Sequence, residues 1–308
     1  MGLFVNISHF DLNTLRLFVT AADCKSLTRT AELSSITLSA VSKRISELER
    51  NLNCQLFTRQ PRGIELTTAG AGLLRHARSI LDSVNSMASE LNDYARGAVG
   101  HVRIAANVSA VIQFLPEDLA TFFALNPGIR IYLEEALSDA VIDSVESGRV
   151  DIGIFADNVD ATVLKTFPWR QDRLVLLVPA AHPLAAHEAI WFEETLAWDY
   201  VALNQGSSLL RRITDTAVSA GRVLKVNIQV TSFDAVCRMI QAGLGIGILP
   251  LKAITPALLG SSLKAITLKD DWALRTLRLG INAKKILPPE AIKLMEYLMS
   301  VSDSSFPE

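Results

Sequence analysis

The sequence predicts an α/β protein in three parts: a small all-α winged head, one long helix, and a larger body of alternating strands and helices. Three observations predict it. Residues 26–70 read as two short helices, a sharp corner and a basic hairpin; apolar residues then recur by fours and threes along residues 73–94; and from about residue 101 strand-like runs alternate with helical patterns, in two successive sets. With 308 residues, 49% of them hydrophobic, the chain can build one small domain and one or two larger lobes, each with its own core.

The head is expected over 9–67. In its first helix Leu15, Phe18, Val19 and Ala22 fall on one face, with Arg16 and Asp23 outside. Ser26 is placed to cap a second, short helix ending at Leu33, where Ala31 is small enough to let another helix approach. Ser34 and Ser35 turn the chain, and Thr37 caps a third helix. In that helix Val41, Ile45 and Leu48 point inward, while Ser39, Ala40, Ser42, Lys43 and Arg44 point outward. Small hydroxylated side chains let a helix sit deep in the major groove, and the basic ones can reach phosphate or guanine. After Leu56-Phe57 a hairpin turning at Pro61-Arg62-Gly63 carries Arg59 and Arg62 as a wing. The expected DNA contacts are Thr28, Thr37, Leu38, Ser39, Ser42, Lys43, Arg44, Arg59 and Arg62. Each of the basic ones has a plainer alternative as a solvated charge, and the head as a whole could instead be a helical protein-binding module.

A long helix, 68–97, begins at Thr67 or Thr68. Leu73, Ala77, Ile80, Val84, Met87 and Leu91 form its heptad seam, and a stripe that wide needs a partner helix. The same helix from a second subunit or the protein's own body would serve. After a hinge at Arg96-Gly97-Ala98-Val99-Gly100 the body begins. The first set is strand 102–106, helix about 112–125, strand 129–135, helix 138–147 and strand 150–155. The second is strand 173–178, strand 200–203, helix 208–220, strand 226–230, helix 233–242 and strand 246–249, after which strand 275–281 and helix 289–300 can return to the first lobe. Such alternation calls for a mostly parallel sheet covered on both faces.

Ser26, Ala31, Ala40, Ser42, Leu48-Glu49, Leu56-Phe57, Arg59 and Leu66-Thr67-x-Ala69-Gly70 together resemble the N-terminal signature of LysR-type transcriptional regulators. The resemblance runs through the whole chain, in Phe114-Leu115-Pro116, Asn126-Pro127, His182-Pro183-Leu184-Ala185 and Gly243-Leu244-Gly245-Ile246-Gly247. It implies that residues 101–308 are an effector-binding domain of the periplasmic solute-binding type, with lobe I at about 101–165 and 270–300 and lobe II at about 166–269, and that the long helix makes a dimer. Departures fall where bases would be read. The family often has Gln where this chain has Leu38 and Pro or Ser at Ser39, and it tends to have Ala at Thr30 and Gly at Asn53. Leu38 cannot make the two hydrogen bonds Gln offers adenine, though it could pack on a thymine methyl.

The cleft between such lobes lies beyond the carboxyl ends of the strands. The expected effector residues there are Asn107, Ser109, Ala110, Phe155, Asn204, Ser207, Thr231 and Phe233. Ser109, Ser207 and Thr231 are each accounted for individually as helix caps, but together they suit a small carboxylate or compact polar anion, with the two phenylalanines as an apolar wall.

Charge supports this division of labour. Residues 1–80 hold ten Lys and Arg against six Asp and Glu, while the whole chain has net charge −2, so a basic head sits on an acidic body. Cys24, Cys54 and Cys237 are unpaired in spacing and distant from histidines, which predicts buried thiols rather than disulfides or zinc; a redox role for Cys237 is the alternative. No catalytic residue, metal site or cofactor is expected: the glycines at 243–247 precede a strand and fit a helix end, not a nucleotide loop. The start of the chain has no secretory pattern and no apolar run is long enough to span a membrane, so a cytoplasmic protein is expected, which also argues against a transport solute-binding protein. Expected partners are promoter DNA, a small-molecule effector, a second copy in a dimer or tetramer, and RNA polymerase, with no membrane.

Overall fold

The computed structural model describes residues 10–61, 63–95, 100–260 and 262–302. The chain divides into two compact units, Met1–Arg96 and Gly97–Glu308.

In the first unit α1 (Leu12–Cys24), α2 (Leu27–Leu33) and α3 (Leu38–Leu52) each begin at a side-chain cap. Asp11, Ser26 and Thr37 accept from the backbone N–H of Thr14, Arg29 and Ala40 respectively. These caps replace hydrogen bonds that a helix start cannot make within itself. Antiparallel strands β1 (Phe57–Gln60) and β2 (Gly63–Leu66) form the wing, and Thr67 caps α4 (Thr68–Ala95) by accepting from Gly70 at 3.0 Å. Leu15, Phe18, Ala31, Val41, Ile45, Leu48 and Leu56 make the core, joined by Ala77 of α4. Two departures from the family pattern are absorbed locally. Thr30 is buried, but its hydroxyl donates to the Ser26 carbonyl at 2.7 Å. Asn53 ends α3 at φ 50°, a left-handed position that Asn tolerates better than most residues.

The second unit runs β3 (Gly100–Ala106), α5 (Val108–Gln113), α6 (Leu115–Leu125), β4 (Ile129–Glu135), α7 (Ser138–Ser147), β5 (Ile152–Ala156), β6 (Lys165–Pro179), β7 (Ala189–Ile190), β8 (Tyr200–Leu203), α8 (Ser208–Ser219), β9 (Val226–Val230), α9 (Phe233–Gln241), β10 (Gly247–Pro250), β11 (Leu263–Leu268), β12 (Leu274–Ile281) and α10 (Pro289–Ser300). Lobe I is a sheet in the order β4-β3-β5-β12-β6, with one core on the side of α6 and α10 and another on the side of α7. In lobe II the second half of β6 lies between β10 and β11, β7 extends β11, and β8 pairs with β9.

Three expectations change. The predicted helix at 112–125 is two helices, because Pro116 has no N–H to donate back to Ile112 and the chain turns at Phe114 (φ −132°, ψ −48°). The sheet is mixed rather than mostly parallel: β3, β4 and β5 are parallel, but β12 is antiparallel to both β5 and β6. The strand expected at 173–178 begins at Lys165 instead. Its first half pairs with β12 and places Trp169 in the lobe I core, while Leu174 to Val178 enter the lobe II core. The lobes therefore meet inside β6, near Arg173 and Leu174, and not at residue 165. The sheet pairing around Pro168 is interrupted by a bulge, which masks the strand in a local reading.

Candidate nucleic-acid interface and ligand cleft

On the head, Thr28, Thr37, Leu38, Ser39, Lys43, Arg44 and Arg59 are exposed and Ser42 is half-buried; Arg62 lies outside the described residues. Arg44 is also 3.8 Å from Asp11, an exposed pair of little energetic weight that leaves the guanidinium free to exchange partners. The wing is held against α3 by Glu49. One oxygen of its carboxylate accepts from the backbone N–H groups of Leu56 at 2.8 Å and Phe57 at 3.1 Å. The other end of the hairpin is pinned by Ile64, which donates to the Lys25 carbonyl at 3.0 Å. Helix α3 and Arg59 thus project from one rigid body, with apolar contact between the rings of Phe18 and Phe57 behind them. A sequence reading puts Glu49 in the motif but not in this role, because its partners lie beyond a helix end.

The seam of α4 is shorter than expected. Leu73 and Ala77 pack into the head's own core, since α1 needs a further helix to cover Leu15 and Phe18. Ile80, Met87 and Leu91 stay exposed and Val84 half-buried.

In the second unit a cavity of about 270 Å³ opens between the lobes, at the carboxyl ends of β3, β4, β8 and β9. Its polar lining is Asn107, Ser109, Ser138 and, at the end of β4, Glu135 from lobe I and Asn204, Ser207, Ser208 and Thr231 from lobe II, with Val108, Leu137, Leu203 and Leu209 among the apolar walls. Of the expected effector residues, Asn107, Ser109, Asn204, Ser207 and Thr231 line it. Ala110, Phe155 and Phe233 do not: all three are fully buried, in three different cores. The pleat of β5 turns Phe155 towards α7, and Phe233 opens α9 facing the lobe II core. Ser138 was missed, although it follows a strand and starts a helix just as Ser109 and Ser208 do.

The hydrogen bonds determine what the cavity offers. Asn107 accepts from Ala110 N at 3.0 Å and donates to Ser138 Oγ at 3.3 Å; Ser138 Oγ also accepts from Ala156 N at 3.3 Å and donates to Ser208 Oγ at 3.4 Å. Beneath the floor, Arg275 and Asp172 form an ion pair with side chains only 1% exposed. Arg275 Nη2 donates to Asp172 Oδ2 and to Ser109 Oγ, both at 2.6 Å, and Gln113 donates to the same carboxylate oxygen at 2.8 Å. A guanidinium can only donate, so Ser109 Oγ accepts from it and keeps its single hydrogen for an acceptor in the cavity. Across the mouth Arg211 pairs with Asp139, Arg212 with Asp157, and Asn158 Nδ2 donates to the Ser208 carbonyl at 2.9 Å.

Of the three thiols expected to be buried, Cys237 is, on α9 and outside this cavity, whereas Cys54 is exposed and Cys24 half-buried; burial pushes the Cys237 thiol up to about 11. Brief iodoacetamide treatment of the folded protein at pH 8 should label exposed Cys54 and spare Cys237, read by peptide mass spectrometry. Equal labelling of the two would contradict the burial of Cys237.

Two family models match the chain: the lysR-family bacterial regulatory helix-turn-helix protein over residues 12–71, and the LysR substrate binding domain over residues 95–303. The chain is 28% identical over 291 residues to the uncharacterized HTH-type transcriptional regulator YbhD of Escherichia coli strain K12, covering 94% of this chain and 92% of YbhD. Its fold is similar to that of full-length CbnR complexed with its target DNA, with TM-score 0.76 and 18% identity over 96% of this chain and all of that one. The regulatory domain of Synechocystis CcmR, solved in complex with 2-PG, is similar with TM-score 0.62 and 21% identity, covering 67% of this chain and 99% of that one. Among the described residues no helix is long and apolar enough to cross a membrane.

Proposed function

The chain belongs to the LysR family of transcriptional regulators, DNA-binding proteins with an effector-binding domain, and from that premise we propose how its own residues divide the work. Thr28, Thr37, Leu38, Ser39, Ser42, Lys43 and Arg44 meet the major groove and adjoining phosphates, with Arg59 and Arg62 of the wing on the backbone alongside. The observation that carries this is the exposed hydroxylated and basic face of α3, fixed beside the wing through Glu49. Ile80, Val84, Met87 and Leu91 pair with the same helix of a second copy, so that two heads address two related half-sites. Two such dimers associate as a tetramer, which meets RNA polymerase at promoters in the cytoplasm. The protein performs no catalysis.

The effector is a small carboxylate or another compact anion. Ser109 presents a hydrogen-bond donor to the cavity, and α7 begins at its edge with no side-chain cap, so that the positive end of its dipole favours negative charge. Ligand filling the cavity changes lobe closure, and the Arg211–Asp139 and Arg212–Asp157 pairs report on it because each joins one lobe to the other. Such a ligand shifts the equilibrium only by its unequal affinity for the two arrangements.

Arg59→Ala should weaken binding on all DNA sequences alike and lower the slope of log affinity against log salt by about one, the signature of one lost phosphate contact. The measurement is a salt titration by fluorescence anisotropy on specific and random duplexes. An unchanged affinity at every salt concentration would remove Arg59 from the interface.

A further inference from the structure

The tip of α3 carries an unusual choice of side chain. Leu38, the first residue of the helix, is 47% exposed, and Leu33 and Ile36 on the approach to it are 58% and 39% exposed. The hydroxyls flanking Leu38 are hydrogen-bonded to each other and to the helix backbone. Thr37 Oγ1 accepts from Ala40 N at 3.3 Å and is hydrogen-bonded to Ser39 Oγ at 3.0 Å. Between them Leu38 stands exposed at the point of the helix, and it has neither a donor nor an acceptor. Base edges in the major groove are almost entirely donors and acceptors, which an apolar side chain would strip of water without replacement. The one apolar group there is the C5 methyl of thymine.

We infer that Leu38 is a specificity-determining residue that reads thymine by covering its C5 methyl. This rests on α3 being the DNA-reading helix. Leu38 shares α3 with the exposed Ser39, Lys43 and Arg44, which argues for DNA rather than protein as the occupant. A protein partner would bring apolar surface of its own but would leave the neighbouring cations without phosphate.

The test removes the methyl from the DNA and nothing from the protein. An operator is first selected with the full-length protein from a random duplex pool, and each thymine in it is then replaced in turn by deoxyuridine. For the wild type, replacement at one position per half-site should lower affinity about fourfold, the order expected for uncovering one methyl group. Leu38→Ala should bind the thymine and deoxyuridine forms equally. Leu38→Gln should move the preference at that position towards adenine. Because Leu38 is exposed in the first turn, both variants should fold as the wild type does by circular dichroism. Affinity indifferent to every deoxyuridine, or equal sensitivity in Leu38→Ala, would overturn the assignment while the selected operator still stood as evidence of DNA reading. If no operator were selected from the thymine pool, the DNA-reading role of α3 would fall, and the assignment with it.

Discussion

Arg275→Met is expected to destabilise the second unit by about 3–5 kcal/mol, because it leaves the Asp172 carboxylate buried without its cation. For a unit of this size that corresponds to a fall in melting temperature of roughly 10 °C. Desolvation, and not the strength of the pair, sets this cost. Both side chains have already lost their water, so removing one leaves the other with an unmet cost. Replacing both, as Arg275→Met with Asp172→Leu, should recover most of the loss, since an apolar pair of similar volume has no charge to solvate. Calorimetry on the three proteins reads this directly. A double variant no more stable than the single one would contradict the unmet desolvation cost at Asp172. The same single substitution frees Ser109 Oγ from its donor, so the hydroxyl can turn and offer the cavity a lone pair in place of a hydrogen. Preference for anionic effectors should weaken as a result.

The second large effect is expected at Gly63→Ala in the wing. Gly63 has φ +140°, and a Cβ there would lie 2.3 Å from the Lys25 carbonyl oxygen, the same atom that accepts from Ile64. The added methyl must break that anchor and adopt a backbone conformation that only glycine takes readily. Strain and the lost hydrogen bond together should cost the head about 2–4 kcal/mol. DNA affinity should fall further than with Arg59→Ala, because the whole wing moves. Gly72→Ala supplies the opposite sign. It lies within α4 with nothing within 4 Å of an added Cβ, so it should stabilise the head by about 0.5–1 kcal/mol through helix propensity. Urea unfolding of the two variants distinguishes them; a destabilised Gly72→Ala with an unaffected Gly63→Ala would refute the contact geometry of the head.

Legibility of the fold in the sequence followed the range of the interactions that decide it. Helices α7 and α10 and strands β4, β8 and β9 are found at their expected residues, because helix-bounding residues such as Gly148 and Pro289 and short apolar runs are local signals. Strand β6 was half hidden because its first half pairs with β12, about a hundred residues away, across a bulge at Pro168 and Trp169. The site behaves alike. Strand ends located Asn107, Ser109, Asn204, Ser207 and Thr231 at the cavity, but not which way Phe155 and Phe233 would face, which depends on pleat and helix rotation once packed. Nothing local ties Arg275 to Asp172, 103 positions apart. The seam was overextended to Leu73 and Ala77 because periodicity shows that a helix face needs cover and not what covers it.

Paired heads of this kind are proposed to grip two related half-sites under the control of the cleft. A nuclease footprint of the full-length protein, titrated to saturation on the intergenic DNA beside its own gene, tests it most directly. A long or divided protection with two-fold symmetry, altered in extent when a binding anion fills the cavity, is the predicted result. Absence of protection at every concentration by folded protein, with and without such anions, would contradict it.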